Sequence, residues 1–253
     1  MRILLTNDDG VQSPGIQLFA EALRTAGHWV FTLAPVSNKS GVSHAVTFFH
    51  GPLKLTQIRE NTWSCDGTPA DCVVIGLEAD IGELCAESSY TPPDVIISGI
   101  NRGSNLGTDI VYSGTAAAAR QGALHNIPSL AFSLIEGDNW YWDMAVGFAV
   151  EYLDRILAYW KPDSFINVNI PNRPEKPLEL VHAFPSFRYY NDRIDIYHAP
   201  DGRRYCFTKS GKATAKPEQG SDWEAVMGDN ASLSEIFIHP ALLESVKRGG
   251  HDG

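Results

Sequence analysis

The stretch that decides the fold is residues 1–35, which read MRILLTNDDGVQSPGIQLFAEALRTAGHWVFTLAP. The apolar run at residues 3–6 ends in a polar segment and so predicts a strand followed by a loop. Residues 14–26 place apolar side chains at helical spacing, and Gly27 is typical of the residue after a helix. Residues 29–34 return as a second strand. This order predicts a parallel sheet with crossover helices, in which ligands bind at the carboxyl ends of the strands.

The same alternation of helices and strands continues along the chain. Apolar patterns predict helices over residues 69–77, from residue 115 onward and over 140–160, and strands over residues 95–98, 129–134 and 165–170. The predicted fold class is therefore α/β, with a Rossmann-like, mainly parallel sheet flanked by helices.

The pattern changes after the last of these strands, where three prolines follow within a short segment. Residues 193–198 and 204–208 flank a Pro-Asp-Gly turn and predict a β-hairpin. We expect a catalytic core over residues 1–175 and a C-terminal extension over 176–253 that contains the hairpin and serves oligomerisation. An isolated hairpin is marginally stable in water, so it should pack on another subunit or on the main sheet. Residues 249–253 are expected to be disordered.

The composition and charge exclude several classes of function. Of 253 residues, 20 are Lys or Arg and 30 are Asp or Glu, so the formal net charge of −10 speaks against binding to a nucleic-acid polymer or an anionic membrane. The chain has no run of about 18 apolar residues that could span a bilayer. The four cysteines show no CxxC spacing and the first five residues are too short for a signal-peptide core, so we expect a reduced, cytoplasmic protein.

Two adjacent carboxylates, Asp8 and Asp9, follow the first strand, where α/β proteins bind ligands. Like charges side by side are unfavourable unless a cation or a proton separates them. The pair is therefore a candidate site for a hard divalent metal with open positions for substrate and water. The alternative is a solvated turn in which Asp9 only caps the following helix.

Two polar segments are expected at the same edge of the sheet. Residues 37–41, Ser-Asn-Lys-Ser-Gly, follow the second strand, although such residues are also common in ordinary loops. Residues 98–115 contain four glycines, two asparagines and an aspartate, and end directly before an alanine-rich helix. Glycines let a backbone approach a ligand closely, and a helix N-terminus presents free amides to an anion. This segment favours a phosphate site over plain helix capping.

Common nucleotide-binding and metal-binding fingerprints do not occur. The sequence has no GxGxxG after the first strand and no GxxxxGK[ST], so it lacks the dinucleotide and P-loop signatures. The eight histidines fall at no zinc-like spacing, and we interpret them as structural or surface residues. His44 is the least certain of them because it lies near Ser40. Lys39 and Arg102 adjoin the polar loops and could steady a phosphate.

Four motifs carry a resemblance to a known family. They are Ile3-Leu4-Leu5-Thr6-Asn7-Asp8-Asp9-Gly10-Val11 with Ser13-Pro14-Gly15, Ala34-Pro35 with Ser40-Gly41, Asp66-Gly67-Thr68-Pro69-Ala70-Asp71-Cys72-Val73, and Ser98-Gly99-Ile100-Asn101 through Tyr112-Ser113-Gly114-Thr115. In this order and spacing, across residues 1–135, they resemble the SurE family, the stationary-phase survival proteins that act as 5′-nucleotidases.

The resemblance implies site residues, a cofactor and partners. The implied metal ligands are Asp8, Asp9, Ser40 and Asn101. The residues implied to flank the phosphate are Asn105, Ser113, Gly114 and Thr115. The implied cofactor is one divalent cation per subunit, magnesium or manganese with calcium also open, and Asp8 and Asp9 are the implied catalytic residues. The implied partners are a nucleoside monophosphate substrate and further copies of the chain, in a homodimer or homotetramer built partly by exchange of C-terminal elements.

The C-terminal part departs from the family pattern. Residues 220–228 resemble the stretch in which the family places an aspartate before a glycine. Residues 229–235, Asp-Asn-Ala-Ser-Leu-Ser-Glu, then replace the usual Val-Ser-Ile-Thr-Pro-Leu-like strand. The departure concerns that strand and its subunit contacts, whereas the implied metal site lies in the matching part.

The sequence thus predicts a metal-dependent phosphomonoesterase that hydrolyses nucleoside monophosphates, a 5′-nucleotidase, with 3′-nucleotides and short polyphosphates open as further substrates. A metal-activated water or Asp8 itself would attack phosphorus. One alternative is a calcium-dependent nucleoside N-glycosidase, which also clusters aspartates after a first strand but gives the glycine-rich segment no role. The other is a nucleotide-binding protein without turnover.

Overall fold

A computed structural model describes residues 1–85, 91–209, 211 and 213–240. The tail at 249–253, expected from the sequence to be disordered, lies outside the described residues. The described strands are β1 Arg2–Thr6, β2 Trp29–Pro35, β3 Leu55–Arg59, β4 Thr62–Cys65, β5 Val95–Arg102, β6 Ser129–Leu134, β7 Ser164–Ile170, β8 Leu180–His182, β9 Arg188–Tyr189, β10 Arg193–His198, β11 Arg204–Lys209, β12 Thr214–Ala215 and β13 Ala231–Phe237. The described α-helices are α1 Pro14–Thr25, α2 Pro69–Glu78, α3 Gly82–Cys85, α4 Gly114–Leu124, α5 Trp142–Glu151, α6 Leu153–Leu157 and α7 Asp222–Met227, with 3-10 helices at Phe48–His50 and Gly107–Val111.

Nine of the described strands form one central sheet in the order β3-β4-β2-β1-β5-β6-β7-β13-β8. All neighbours from β4 to β7 in this order pair in parallel. Antiparallel pairing occurs between β3 and β4 and between β7 and β13. The predicted α/β class with a mainly parallel sheet is confirmed.

The sheet is covered by helices on both faces, and the side chains of β1 alternate between the two layers. Ile3 and Leu5 pack with Phe19 of α1 in one core cluster, whereas Leu4 packs with Val73 of α2 in the other. Burial of each such side chain stabilises the fold by about 1.5–3 kcal/mol. Strand β1 is therefore held from both sides. This packing fixes the position at which the following turn begins.

The topology places a crevice beside β1. The chain crosses from β1 to β2 on one side and later enters β5 on the other side. Such a switch point opens a crevice at the carboxyl ends of the two strands that flank it. Asp8 and Asp9 follow β1 directly, and Asn101 lies near the end of β5. Strand β5 runs further than the sequence predicts, with a register shift against β6 between Ser98 and Asn101.

The C-terminal part adds strands to the central sheet and also forms a separate hairpin. Strand β13 forms at the segment that departs from the family pattern, and it pairs with β7 and β8. The small residues Ala231, Ser232 and Ser234 are buried there, so the changed sequence still fills an interior strand. Strands β10 and β11 pair with each other as the predicted hairpin, outside the described central sheet.

The helix predicted over residues 140–160 is two helices, α5 and α6, separated at Tyr152. Tyr152 has φ −96° and ψ 2°, which lies in the bridge region outside the helical range. The apolar spacing still buries Leu153 and Ile156 beyond the break. The apolar pattern thus predicts which side of the helical segment is buried, but it does not predict the break at Tyr152. Within the described parts of the chain, no helix is long and apolar enough to cross a bilayer.

Candidate active site

A cleft of about 240 Å³ opens where β1 and β5 end. Five of the eight site residues proposed from the sequence line it, and these are Asp8, Ser40, Asn101, Asn105 and Ser113. The other three, Asp9, Gly114 and Thr115, lie directly behind the lining and contact residues that form it. The fold therefore brings all eight into one neighbourhood.

The turn that carries the two aspartates is held by Asn7. Its side-chain nitrogen donates to the Gly10 carbonyl at 3.0 Å and to Ser13 Oγ at 2.8 Å, and its Oδ1 accepts from the Gly10 amide at 3.2 Å. Gly10 has φ +100°, and a β-carbon there would stand 3.2 Å from the backbone of Ser37. A larger residue would be strained in this conformation. The Asn-Asp-Asp-Gly sequence thus fixes the direction of both carboxylates.

Asp8 is 4% exposed and faces the N-terminus of α4. Its Oδ1 accepts a 2.6 Å hydrogen bond from Thr115 Oγ1. Burial raises the pKa of Asp8, and hydrogen bonds from Thr115 and from the Gly114 amide lower it only in part. The carboxylate is held in place but is unfavourable as an isolated charge.

Asp9 is less buried than Asp8, and its Oδ2 accepts a 2.8 Å hydrogen bond from the Arg102 amide. Burial raises the pKa of Asp9, the Arg102 amide lowers it, and the neighbouring Asp8 charge raises it again. The two carboxylates therefore oppose each other's ionisation. A divalent cation beside them would favour both charged forms.

Neutral oxygen atoms lie beside the aspartates. Ser40 is in the exposed loop after β2, where its amide donates to Asn38 Oδ1 at 2.7 Å. Asn101 is 8% exposed, and its Nδ2 donates to the Gly103 carbonyl at 2.9 Å, which leaves Oδ1 as the atom that could bind a cation. Within the described residues, no three His, Cys, Asp or Glu side chains form a group that could hold a metal ion. A cation here would therefore need the neutral oxygens as well as the carboxylates.

Asn105 and Ser113, which both line the cleft, are each held by hydrogen bonds. The Asn105 amide donates to Asn169 Oδ1 at 2.8 Å, and its Nδ2 donates to Ser133 Oγ at 2.8 Å. Ser113 is the N-cap of α4, and its Oγ accepts from the Ala116 amide at 3.0 Å. A helix N-terminus carries partial positive charge and is favourable for an anion.

Gly114 and Thr115 contact Asp8 instead of the open cleft. Thr115 is fully buried, and its hydroxyl is bonded to Asp8. A β-carbon on Gly114 would stand 2.8 Å from the Asp8 Cβ and 3.0 Å from its Oδ2. Both residues therefore position Asp8, and their role at a phosphate stays a prediction.

The charged and titratable residues near the polar loops differ in their position relative to the cleft. They are Arg102, Lys39 and His44. Arg102 lines the cleft, and its guanidinium lies 4.8 Å from the ring centre of Trp140. Lys39 contacts the site through its backbone, because its amide donates to the Asp8 carbonyl at 2.7 Å. His44 Nε2 lies 2.8 Å from Gln121 Oε1, and His44 does not line the cleft.

The site lies inside a stretch that matches a known protein family. The family model described as Survival protein SurE matches residues 3–190. The chain belongs to the SurE family. All eight proposed site residues fall inside the matched range, whereas the β10–β11 hairpin lies beyond it.

Curated relatives of the SurE family match almost the whole chain. The 5′-nucleotidase SurE of Geotalea daltonii is 38% identical over 97% of this chain and 96% of its own length. That of Aquifex aeolicus is 37% identical over 96% of both chains. The crystal structure of the Sure protein from Aquifex aeolicus matches with a TM-score of 0.81 at 34% identity, over 99% of this chain and 100% of that one. The family resemblance inferred from the motifs is confirmed.

The cleft of this SurE-family chain also contains residues that the sequence analysis did not assign. Asp109, Tyr112, Glu136 and Tyr190 line it. The Tyr190 hydroxyl donates to Asp109 Oδ1 at 2.5 Å across a sequence separation of 81 residues. Asp109 and Tyr112 lie within the quoted glycine-rich motif, which was a usable signal. Tyr190 and Glu136 had no local signal, because only long-range packing places them here.

Asp222 connects the C-terminal part to the cleft. It is fully buried at the start of α7, where its Oδ2 accepts from the Gly107 amide at 2.7 Å and its Oδ1 accepts from the Ser186 amide at 2.9 Å. The Arg188 amide in turn donates to Thr108 Oγ1 at 3.0 Å. These bonds hold β9, and with it Tyr190, against the 3-10 helix at Gly107–Val111.

Proposed function

We propose that this chain is a metal-dependent phosphomonoesterase that hydrolyses nucleoside monophosphates to nucleoside and phosphate, the 5′-nucleotidase activity for which its curated relatives are named. The observation that carries the proposal is the meeting of Asp8, Ser40 and Asn101 with Asn105 and Ser113 in one cleft. Oxygen donors for a cation stand beside small polar groups at a helix N-terminus. Phosphoryl transfer needs this combination because it depends mainly on positioning and charge neutralisation.

The donor set fits one hard divalent cation per subunit. Asp8 and Asp9 offer carboxylate oxygens, Ser40 a hydroxyl oxygen and Asn101 an amide oxygen. Magnesium, manganese and calcium prefer oxygen ligands, and the described cleft lining contains neither Cys nor His. We favour magnesium or manganese, because magnesium-type sites use one or two carboxylates together with substrate phosphate oxygens. When bound, the cation supplies neutralisation of phosphoryl charge and a lower pKa for a water molecule.

Residues of the chain would hold the phosphate of the substrate next to the bound cation. Asn105 and Ser113 would hold non-bridging phosphate oxygens, and the Gly114 amide adds the favourable field of the helix N-terminus. Asp8 is almost fully buried and tied to Thr115, so it suits a fixed ligand better than a mobile nucleophile. We therefore favour water as the nucleophile and propose Asp9, the other catalytic residue implied by the family resemblance, as the group that takes its proton. Attack by Asp8, giving an aspartyl-phosphate, is the alternative.

Two other activities are less well supported. A nucleoside N-glycosidase would use the aspartates but would leave Asn105, Ser113 and the N-terminus of α4 without a role. A nucleotide-binding protein without turnover would keep the same cleft, so only product formation separates it from an enzyme.

The test is a product assay on a panel of 5′-nucleoside monophosphates, with 3′-nucleotides and a short polyphosphate included, in the presence of Mg²⁺ or Mn²⁺. Free phosphate, free base and bound nucleotide are measured in parallel. The proposal expects equimolar phosphate and nucleoside with no free base. Release of base without phosphate would replace it with the glycosidase, and stoichiometric binding without either product would replace it with the binding protein.

We propose that the chain assembles as a homodimer or homotetramer and that the extension after residue 175 serves this assembly. The support is the β10–β11 hairpin, on one face of which Ile194 and Ile196 are 65% and 61% exposed. An exposed apolar surface of this kind marks an interaction site. Light scattering on the wild type and on a variant with Ile194 and Ile196 changed to Ser tests the proposal, which expects a smaller particle for the variant.

We also propose a cytoplasmic location. The support is Cys65, Cys72 and Cys206, which form no disulfide in the described part of the chain. A reducing compartment keeps cysteines in this state. Cell fractionation with an antibody to the native protein tests the location.

A further inference from the structure

Two aromatic residues line the cleft and have no part in the proposed phosphate and cation roles. Tyr112 and Tyr190 line it together with Asp8, Asn101 and Ser113. The two rings meet edge to face, with centroids 6.1 Å apart and planes at 87°. They are 55% and 40% exposed, respectively, although they flank a polar cleft. Aromatic rings of this kind offer a stacking surface to another flat group.

The Tyr190 ring is fixed before any ligand arrives. Its hydroxyl donates to Asp109 Oδ1 at 2.5 Å, and Asp109 Oδ2 accepts from the Leu106 amide at 3.2 Å. Tyr112 is held through its backbone, because its carbonyl accepts from the Ser43 amide at 3.0 Å and its own amide donates to the Asp109 carbonyl at 3.0 Å. A preorganised ring loses little freedom when a ligand stacks on it.

The size of the cleft places one part of a nucleotide at these rings. The cavity measures about 240 Å³, whereas pockets that enclose a whole small-molecule ligand measure roughly 300–1,000 Å³. A nucleoside monophosphate therefore extends beyond it. With the phosphate at Asn105 and Ser113 and the cation at Asp8, the base is the part that reaches the exposed rim.

Arg102 and Trp140 form an alternative stacking surface for the base, but they are less suited to this role. The guanidinium of Arg102 already lies over the Trp140 ring at 4.8 Å, and Trp140 in turn stacks on Trp142 with centroids 5.4 Å apart. Trp140 does not line the cleft that holds Asp8. The two tryptophans therefore lie outside the lining of this cleft, whereas Tyr112 and Tyr190 are part of it.

We infer that Tyr112 and Tyr190 form the nucleobase subsite of this cleft and determine its preference for nucleotides over other phosphate monoesters. The inference rests on the proposed nucleotidase function and names the part of the substrate that the pair binds. Stacking on an aromatic ring accepts every base, so the subsite favours nucleotides as a class and purines over pyrimidines by their larger ring area.

The test compares AMP with ribose 5-phosphate, which has the same phosphate and sugar but no base. The wild type should show a lower KM for AMP. Tyr190→Leu should raise the KM for AMP about tenfold, in the range that loss of one base–aromatic stack produces, and leave the KM for ribose 5-phosphate unchanged. Tyr190→Phe keeps the ring and loses only the bond to Asp109, so it should raise the KM for AMP less than Tyr190→Leu does. Tyr112→Leu gives the same test if Tyr190→Leu does not fold.

Tyr189→Leu is the matched control. Tyr189 is the neighbouring residue, but its ring packs on Phe187 with centroids 5.1 Å apart and does not line the cleft. This variant should keep the wild-type KM for both substrates. Equal KM values for AMP and ribose 5-phosphate in the wild type, or an equal rise for both in Tyr190→Leu, would overturn the inference and leave the nucleotidase intact.

A separate binding measurement distinguishes failure of the inference from failure of the proposed function. Calorimetry with AMP and with ribose 5-phosphate, under chelating conditions that prevent turnover, reports the subsite without activity. Tighter binding of AMP that is lost in Tyr190→Leu supports the subsite even if no phosphate is released from either compound. Equal binding of the two compounds overturns it.

Discussion

Gly114 stands so close to Asp8 that a β-carbon at position 114 would lie 2.8 Å from the Asp8 Cβ and 3.0 Å from its Oδ2. The N-terminus of α4 and the turn after β1 therefore meet without room for a side chain. This contact joins the anion-favouring end of the helix to the proposed cation ligands. Both halves of the site thus depend on one glycine.

Gly114→Val should raise KM and lower kcat together, because it displaces both Asp8 and the amides at the start of α4. The loss in kcat/KM should be about 10²–10³-fold, the size that follows removal of one oxyanion-type donor. Steady-state kinetics with AMP measures it. Gly147→Val is the control, since a β-carbon at Gly147 of α5 meets nothing within 4 Å. Wild-type kinetics in Gly114→Val would show that the close contact has no functional part.

Asp9→Asn should lower phosphate release by several orders of magnitude while the fold survives, because it removes one ligand charge at nearly constant volume. The Asn side chain can still accept the hydrogen bond from the Arg102 amide that Asp9 Oδ2 accepts at 2.8 Å. Turnover at limiting Mn²⁺ measures the loss of activity. A circular dichroism spectrum measures whether the fold survives. Unchanged turnover would leave Asp9 only the structural role of accepting from the Arg102 amide, since the N-cap of α1 is Ser13.

Arg102→Ala should have a much smaller effect, with kcat/KM reduced less than about tenfold, which corresponds to 1.4 kcal/mol. The contact of Arg102 with Asp9 runs through its backbone amide, which alanine keeps, and its guanidinium lies over Trp140. The same kinetic assay tests this. A loss as large as that of Asp9→Asn would mean that the guanidinium clamps the phosphate, contrary to the proposed division of roles.

The metal-free protein should become relatively less stable as the pH rises, because burial raises the pKa of both Asp8 and Asp9. A carboxyl whose folded-state pKa is raised contributes stability that is fully present below its unfolded pKa, about 3.9, and is lost as the pH rises through the folded pKa. In EDTA, the Tm of Asp9→Asn relative to the wild type should therefore increase between about pH 4 and pH 7. A Tm difference that stays constant over this range would contradict the pKa shift of Asp9.

The sequence predicts most of the sheet because its central strands are decided by local apolar patterns. Ile3, Leu4 and Leu5 are buried from both faces, so their run is readable without knowledge of the partners. Strands β3, β4, β8 and β13 of the sheet were not predicted. The place of β8 and β13 depends on pairing with β7 and with each other across long sequence separations. No local pattern encodes such a pairing.

The same physical limit applies to the cleft. Asp8 could be named because it follows a predicted strand at the edge of the sheet where ligands bind, whereas Ser40 and Asn101 were named as metal ligands through the family resemblance. Tyr190 could not, since it reaches the cleft through bonds of Asp222 and Asp109 to distant backbone and side-chain atoms. The aromatic end of the cleft is therefore visible only in the folded chain.

The most direct test of the proposed site is a metal titration of phosphate release. Extensively dialysed protein in EDTA is assayed with AMP, and Mg²⁺ or Mn²⁺ is then added back in excess of the chelator. We predict that EDTA abolishes phosphate release and that the divalent cation restores it to the wild type but not to Asp9→Asn, because three carboxylates, Asp8, Asp109 and Glu136, line the cleft and no lysine does. Undiminished phosphate release in excess EDTA would contradict the proposal that these oxygen atoms act by holding a cation.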